Sequence, residues 1–176
     1  ELTKTESVDV MDALGSAIRI DSRQTEVLRV LPRLNEDVNE EWIADKARYA
    51  VDGLARQRLD RPYIRIDGKL REASWDEAFA AIAVQIKATK GERVAAIAGD
   101  QCDAEAMIAL KDLMSGLGSA NIDCRQDGAK LPTRSRAGYL LNSTIVGLET
   151  ADAVLLVGTN LRWEAPLVNT RLRKAW

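Results

Sequence analysis

The stretch Ala151-Asp-Ala-Val-Leu-Leu-Val-Gly158-Thr159-Asn160, followed by Leu161-Arg-Trp-Glu-Ala-Pro-Leu-Val-Asn-Thr-Arg-Leu-Arg-Lys174, decides the reading of the fold. Ala153 to Val157 is an unbroken apolar run, the habit of a strand covered on both faces in a parallel sheet. The run stops at Gly158, where a residue without Cβ lets the backbone turn sharply and approach a neighbour closely. Beyond it Leu161, Ala165, Val168 and Leu172 recur at three- and four-residue steps, which predicts a helix. The unit is therefore strand, glycine turn, helix. In open α/β sheets ligands sit at the carboxyl ends of such strands, against helix N-termini whose free N–H groups favour anions.

Upstream, the same alternation recurs. Ser74-Trp-Asp-Glu77 is a capping box, and Trp75, Ala78, Phe79, Ile82, Ala83 and Ile86 fall on one face of the helix it starts, which ends near Gly91. Arg93 to Ala98 reads as a continuous apolar strand, Asp103 to Leu117 as a second amphipathic helix stopped at Gly118, and Ala120 to Asp123 as a short strand. From residue 74 the order is helix, strand, helix, strand, long loop, strand, helix, which argues an α/β domain with a parallel, doubly wound sheet.

The first third is organised differently. Residues 1–16 are polar and small; Ala17 to Asp21 and Glu26 to Leu31 form a hairpin around a four-residue loop, Ser22 to Thr25. Trp42, Ile43, Ala47 and Ala50 sit at helical spacing, with Glu40 and Glu41 in the first turn, so a helix is predicted over Asn39 to Tyr49, ending at Asp52-Gly53. Leu54 to Pro62 carries three arginines and little periodicity, an exposed connector that is either solvated or a contact for a protein partner. Tyr63–Ile66 and Lys69–Ala73 make a short hairpin around Asp67-Gly68.

Composition bounds the chemistry. The 176 residues can bury a core, and a formal charge of −2 gives no electrostatic case for nucleic acid. No apolar run approaches the ~18 residues needed to span a bilayer. The chain starts without Met in a polar segment and ends at Trp176 inside a helix, so it reads as a fragment of something longer. There is no histidine, and the two cysteines, Cys102 and Cys124, can neither ligate an iron–sulfur cluster that takes four thiolates nor close a zinc site without histidine. They read as buried or half-buried thiols in a reduced compartment. Asp9 and Asp12 are either part of a divalent-metal site or, as two carboxylates three apart more often are, solvated.

The loop from Cys124 to about Leu141 exceeds the ~12–15 residues usual for structureless connections. Arg125, Lys130, Arg134 and Arg136 make it either a phosphate-binding lid or a solvated surface loop docked on a further domain. At the central turn, Gly158-Thr-Asn-Leu-Arg-Trp163 lacks the spaced glycines of a dinucleotide fingerprint, and no Gly-Lys-Ser/Thr occurs anywhere. A stand-alone nucleotide-binding module is thus poorly served by this turn.

Val157-Gly158-Thr159-Asn160, with Arg162-x-Glu164-Ala-Pro166 and Arg171, resembles the second domain of molybdopterin-containing oxidoreductases. Three further stretches join that segment: Thr5-Glu-Ser-Val-Asp-Val-Met-Asp-Ala-Leu-Gly-Ser16, Arg33-Leu-Asn-Glu-Asp-Val-Asn-Glu-Glu-Trp-Ile-Ala-Asp-Lys46 and Asp52-Gly-Leu-Ala-Arg-Gln-Arg58. Together they resemble the family of the largest iron–sulfur subunit of NADH-quinone oxidoreductase, respiratory complex I, in its α-proteobacterial and mitochondrial form. The resemblance covers the whole chain.

It implies an incomplete molybdopterin-oxidoreductase-like α/β domain over 63–176, with a parallel Rossmann-like sheet. A small α+β module over 1–62 precedes it, a vestige of a 4Fe-4S module of the Mo/W bis-MGD type. In catalytic relatives four cysteines hold that module's cluster; at the matching positions this chain has Asp9, Asp12, Ser16 and Ala44, and hard oxygens and a methyl group cannot replace soft thiolates around iron. Gly158, Thr159 and Asn160 match the loop that cradles the pterin, here expected to be vestigial, with no catalytic residue and no metal ligand. The implied function is a structural scaffold without its own cluster, within a subunit that passes electrons from NADH towards quinone. No cofactor is expected in this stretch, and the iron–sulfur clusters belong to a preceding N-terminal part. The implied partners are the other peripheral-arm subunits of complex I, at the cytoplasmic face of a bacterial inner membrane or the matrix side in mitochondria, without membrane insertion. The alternative is a fragment of an active molybdopterin-dependent oxidoreductase of the formate dehydrogenase type.

Overall fold

The computed structural model describes residues 1–125, 128–132 and 134–176. The long basic loop thus includes three residues, 126, 127 and 133, outside the described set. The chain forms two compact units, one combining residues 1–58 with 131–176, the other residues 59–130. Secondary structure is mixed α/β, with three small sheets among the described residues.

The first unit is built on an antiparallel sheet in the order β1-β2-β3, from Thr3–Val8, Ala17–Arg23 and Glu26–Pro32. The segment read as merely polar thus contributes an edge strand, Thr3 opposite Ser22 and Val8 opposite Ala17. Its polar residues suit a strand whose outer rim faces solvent. The β2–β3 connection is tighter than the four-residue loop expected: Arg23 pairs with Glu26, with Gln24 in the left-handed region at φ 53°. Ile18, Val30 and Ile43 form the buried cluster, with Ile20 packed against it.

The helix expected over 39–49 is confined to α1, Asp45–Tyr49, and continues as a 3-10 turn through Ala50–Ala55. Glu40 at φ 50° and the extended Ala44 at ψ 148° explain the late start, because neither conformation belongs to a right-handed helix. Asn39 fixes the conformation at Glu40. Its Oδ1 accepts from Ala17 N at 2.8 Å, and its Nδ2 donates to the carbonyls of Arg33, Glu40 and Trp42 at 2.9, 3.1 and 3.1 Å. A buried amide whose hydrogen bonds are all internal specifies the loop in a way that periodicity does not reveal.

The second unit begins with the expected hairpin, β4 (Tyr63–Ile66) and β5 (Lys69–Glu72). Asp67 and Gly68 are both left-handed, at φ 49° and 77°, as a type I′ turn requires. Helix α2, Trp75–Lys87, starts with both halves of its capping box made: Ser74 Oγ accepts from Glu77 N at 3.2 Å, and Ser74 N donates to Glu77 Oε2 at 2.8 Å. Helix α3, Ala104–Gly116, is capped by Asp103, whose carboxylate accepts from Ala106 N at 2.7 Å.

Between and after these helices lies a short parallel pair, β6 (Ala96–Ile97) and β7 (Ile122–Asp123). The strand expected over 93–98 is thus reduced to its centre. The right neighbours are joined in the right direction, but over two residues each.

The decisive stretch departs most from its reading. Residues 153–157 form no strand, and Leu155 and Val157 are 86% and 78% exposed. A strand exists only where a neighbouring backbone supplies hydrogen bonds, and none of the described residues does so here. The following helix is also interrupted. It divides into α4, Leu161–Glu164, and α5, Pro166–Ala175, because proline has no N–H to continue the ladder and forces Ala165 out of helical geometry.

Candidate functional site

The glycine turn keeps its predicted bend. Gly158 has φ +62°, with open space where a Cβ would be, so glycine is there for backbone conformation rather than for close approach of a neighbour. Asn160 caps α4, its Oδ1 accepting from Arg162 N at 3.2 Å. The polar groups of the turn are already committed. The carboxylate of Glu164 folds back over its own helix, accepting a hydrogen bond from the Thr159 hydroxyl and another from Asn160 N at 3.3 Å. Gly158, Thr159 and Asn160 therefore adjoin a fixed negative charge. An anionic ligand would have to displace that carboxylate and overcome its repulsion, so the turn does not fit a pyrophosphate as it stands.

The N-terminal positions converge more than the turn does. Asp9, Ser16 and Ala44 are buried, at 5, 1 and 5% exposure, and the side chain of Asp12 is 3% exposed. The loop between β1 and β2 closes through Asp9 N donating to Ser16 O at 2.8 Å, and Asx turns hold Met11 and Leu14 on the carboxylates of Asp9 and Asp12. The expectation of solvated carboxylates is corrected here. A second contact of the loop comes from Lys46, whose Nζ lies 3.2 Å from Asp12 Oδ2 and donates to the carbonyls of Trp163 and Glu164 at 3.1 and 3.0 Å. Asp9 Oδ2 is buried without a hydrogen-bond partner. Burial therefore pushes the Asp9 carboxyl above the ordinary aspartate range, and the nearby Asp12 carboxylate adds to it against the Met11 hydrogen bond and the Lys46 charge.

This donor set does not fit an iron–sulfur cluster: it offers two carboxylates, a hydroxyl and a methyl group, with an ammonium among them, and no thiol occurs in residues 1–101. Both cysteines are free, and they are exposed rather than buried or half-buried as expected. Among the described residues no three His, Cys, Asp or Glu side chains gather as metal ligands.

Sequence reasoning missed a third constellation. Arg171, 4% exposed, bonds Glu149 Oε1 and the Glu36 carbonyl, each at 2.6 Å, and lies 3.4 Å from Glu40 Oε1. Lys174 also pairs with Glu40. These bonds tie α5 to the 35–40 loop and to the 3-10 turn Val146–Thr150. Of the basic loop, Arg125 is held by Asp123, Nε to Oδ1 at 2.9 Å, while Lys130, Arg134 and Arg136 are exposed. That ion pair pulls the Asp123 carboxyl far below the aspartate range.

Residues 58–176 match the family described as molybdopterin oxidoreductase, and the chain belongs to it. Residues 2–52 match a second family, described as NADH-ubiquinone oxidoreductase NDSU1/NuoG-like, 4Fe-4S domain. The chain is 55% identical over 172 residues to a subunit of the NADH-quinone oxidoreductase of Rickettsia felis, covering 98% of this chain and 26% of that protein. It is 54% identical over 175 residues to the mitochondrial NADH dehydrogenase [ubiquinone] iron-sulfur protein 1 of Solanum tuberosum (99% and 24%). It is also 53% identical over 181 residues to the mitochondrial NADH-ubiquinone oxidoreductase 78 kDa subunit of Candida albicans (100% and 25%). The resemblance read from the sequence is thereby shown. The chain spans about a quarter of the length of these relatives. No helix among the described residues is long and apolar enough to cross a membrane.

Proposed function

We propose that this chain is a structural region of the iron–sulfur subunit of an NADH:quinone oxidoreductase, without a cluster or a pterin of its own. The observation that carries this is the conflict within residues 2–52: they match a 4Fe-4S domain family but contain no cysteine. The parent protein passes electrons from NADH towards quinone through clusters housed in an N-terminal part preceding this stretch. Residues 1–62 are the vestigial cluster module. Residues 63–176 belong to a Rossmann-like parallel sheet, in which 153–157 acts as a strand once a partner strand is beside it. Gly158, Thr159 and Asn160 are a vestigial pterin loop, a reading supported by the Glu164 carboxylate already bonded to Thr159 and Asn160. The partners are the other peripheral-arm subunits, and the protein sits peripherally on the cytoplasmic or matrix face of its membrane.

The second reading, a region of an active molybdopterin-dependent oxidoreductase, is favoured by the match over 58–176. Metal, flavin and pterin analysis of the parent protein, purified gently from its own membranes with NADH–quinone activity measured on the same fraction, separates the two. Iron and flavin with NADH oxidation, and no molybdenum or pterin, is the expected result. Molybdenum with pterin and no NADH oxidation would overturn the scaffold reading and make the Gly158 turn a cofactor site.

A further inference from the structure

We propose that the Lys46 ammonium is the cross-link of the N-terminal module, doing with one fixed cation what a cluster does by ligating several segments at once, and that it positions the Gly158 turn. The ammonium has three donors, and the structure gives it three acceptors on two distant segments: Asp12 Oδ2 in the β1–β2 loop, and the carbonyls of Trp163 and Glu164 at the end of α4. Lys46 itself lies on α1, two residues beyond Ala44. Three pieces of chain far apart in sequence thus meet at one charged atom.

Each partner suits the role. The side chain of Asp12 is only 3% exposed, so its charge needs a counter-ion close by. The carbonyls at the end of α4 are unsatisfied helix-terminal acceptors, which favour a cation. Helix α4 has four residues and cannot hold itself in water, so its position is set by what its two ends touch. One end is the Gly158–Asn160 turn and the other is Lys46. Lys46 and Trp163 also line one cleft of about 390 Å³ with Asp45, Arg162 and Pro166. The loop that a metal group would have stapled and the turn that a cofactor would have touched are held together by this lysine.

The comparison with a cluster rests on the scaffold reading; the staple itself rests on the geometry of Lys46. The test is hydrogen exchange read by mass spectrometry on the full-length protein, wild type against Lys46→Met, which keeps the apolar stem and removes the charge. Exchange should quicken at least about tenfold in both 9–16 and 158–164, with β2 and β3 unchanged. Asp12→Asn, which preserves shape and removes only the counter-charge, is the milder second variant and should loosen the same two segments to a smaller extent. Loosening of one segment alone in Lys46→Met, or no change in either segment in both variants, would overturn the staple. Iron in the wild-type protein is located alongside by anomalous X-ray scattering: iron bound within residues 1–62 would sink the scaffold reading, whatever the exchange data say about Lys46.

Discussion

The antiparallel sheet of residues 3–32 and the parallel pair of residues 96–123 both place apolar residues on their strands and end differently. In the first, Ala17 and Ile18 are each 6% exposed; in the second, Ile97 is 65% exposed. The antiparallel sheet is closed by its own neighbours in sequence. A two-residue turn returns β3 along β2, and the β1–β2 loop returns β2 along β1, so every central hydrogen bond is found locally. The parallel pair needs the whole of α3 to bring its second strand back, and its two members pair over only two residues. Apolar character alone did not decide burial. The supply of a neighbouring backbone did.

The difference can be broken from the antiparallel side. Arg171→Ala should have the largest effect, about 2–3 kcal/mol in denaturant unfolding, because it removes a buried side chain together with its bonds to Glu149 and to the Glu36 carbonyl, leaving Glu149 to Lys174 alone. Near-wild-type stability would show that α5 does not hold the 35–40 loop and that the sheet stands without it.

A second effect is pH-dependent. Asp21, fully buried on β2, is held below the ordinary aspartate range, first by the Arg19 hydrogen bond and then by that of Arg29. A carboxyl whose folded value is depressed contributes stability above its unfolded value of about 4, and that contribution is lost as pH falls through the folded value. Thermal unfolding between about pH 6 and pH 2 should therefore show an acid loss in the wild type that is smaller in Asp21→Asn. Parallel curves would show that the two arginines contribute nothing to the sheet. Asp9 works in the opposite sense: its raised value makes the folded state favour protonation, so it opposes part of that acid loss.

The smallest expected effect sharpens the comparison from the other unit. Ser74→Ala removes one half of the α2 capping box and should cost about 1 kcal/mol, read as faster amide exchange in the first turn of α2 with β1–β3 unaffected. Spread of that effect into β1–β3 would contradict the division into two compact units.

Much of this was legible in advance because it is local. The Asp67-Gly68 turn, the Ser74–Glu77 capping box and the span of α3 each depend on residues within four or five positions of one another. At the candidate site, the bend at Gly158 was legible for the same reason. Illegible were the hydrogen bond from Thr159 to Glu164, the convergence of Asp12, Lys46 and Trp163, and the burial of Arg171. Glu164, Lys46 and Arg171 look in sequence like ordinary charged residues on helices. What distinguishes them is the partner each finds, and two of the three find it more than a hundred residues away.

The sequence by itself determined which segments can be helix, turn or strand, and it determined the missing thiolates, because four soft ligands cannot be supplied by residues that are absent. Only the tertiary structure decided that Glu40 breaks the expected helix, that residues 153–157 lie without a partner strand, and that one lysine joins the β1–β2 loop to α4. The reason is physical: conformational preference is a property of neighbouring residues, whereas a ladder or an ion pair exists only when a distant backbone or charge arrives to complete it.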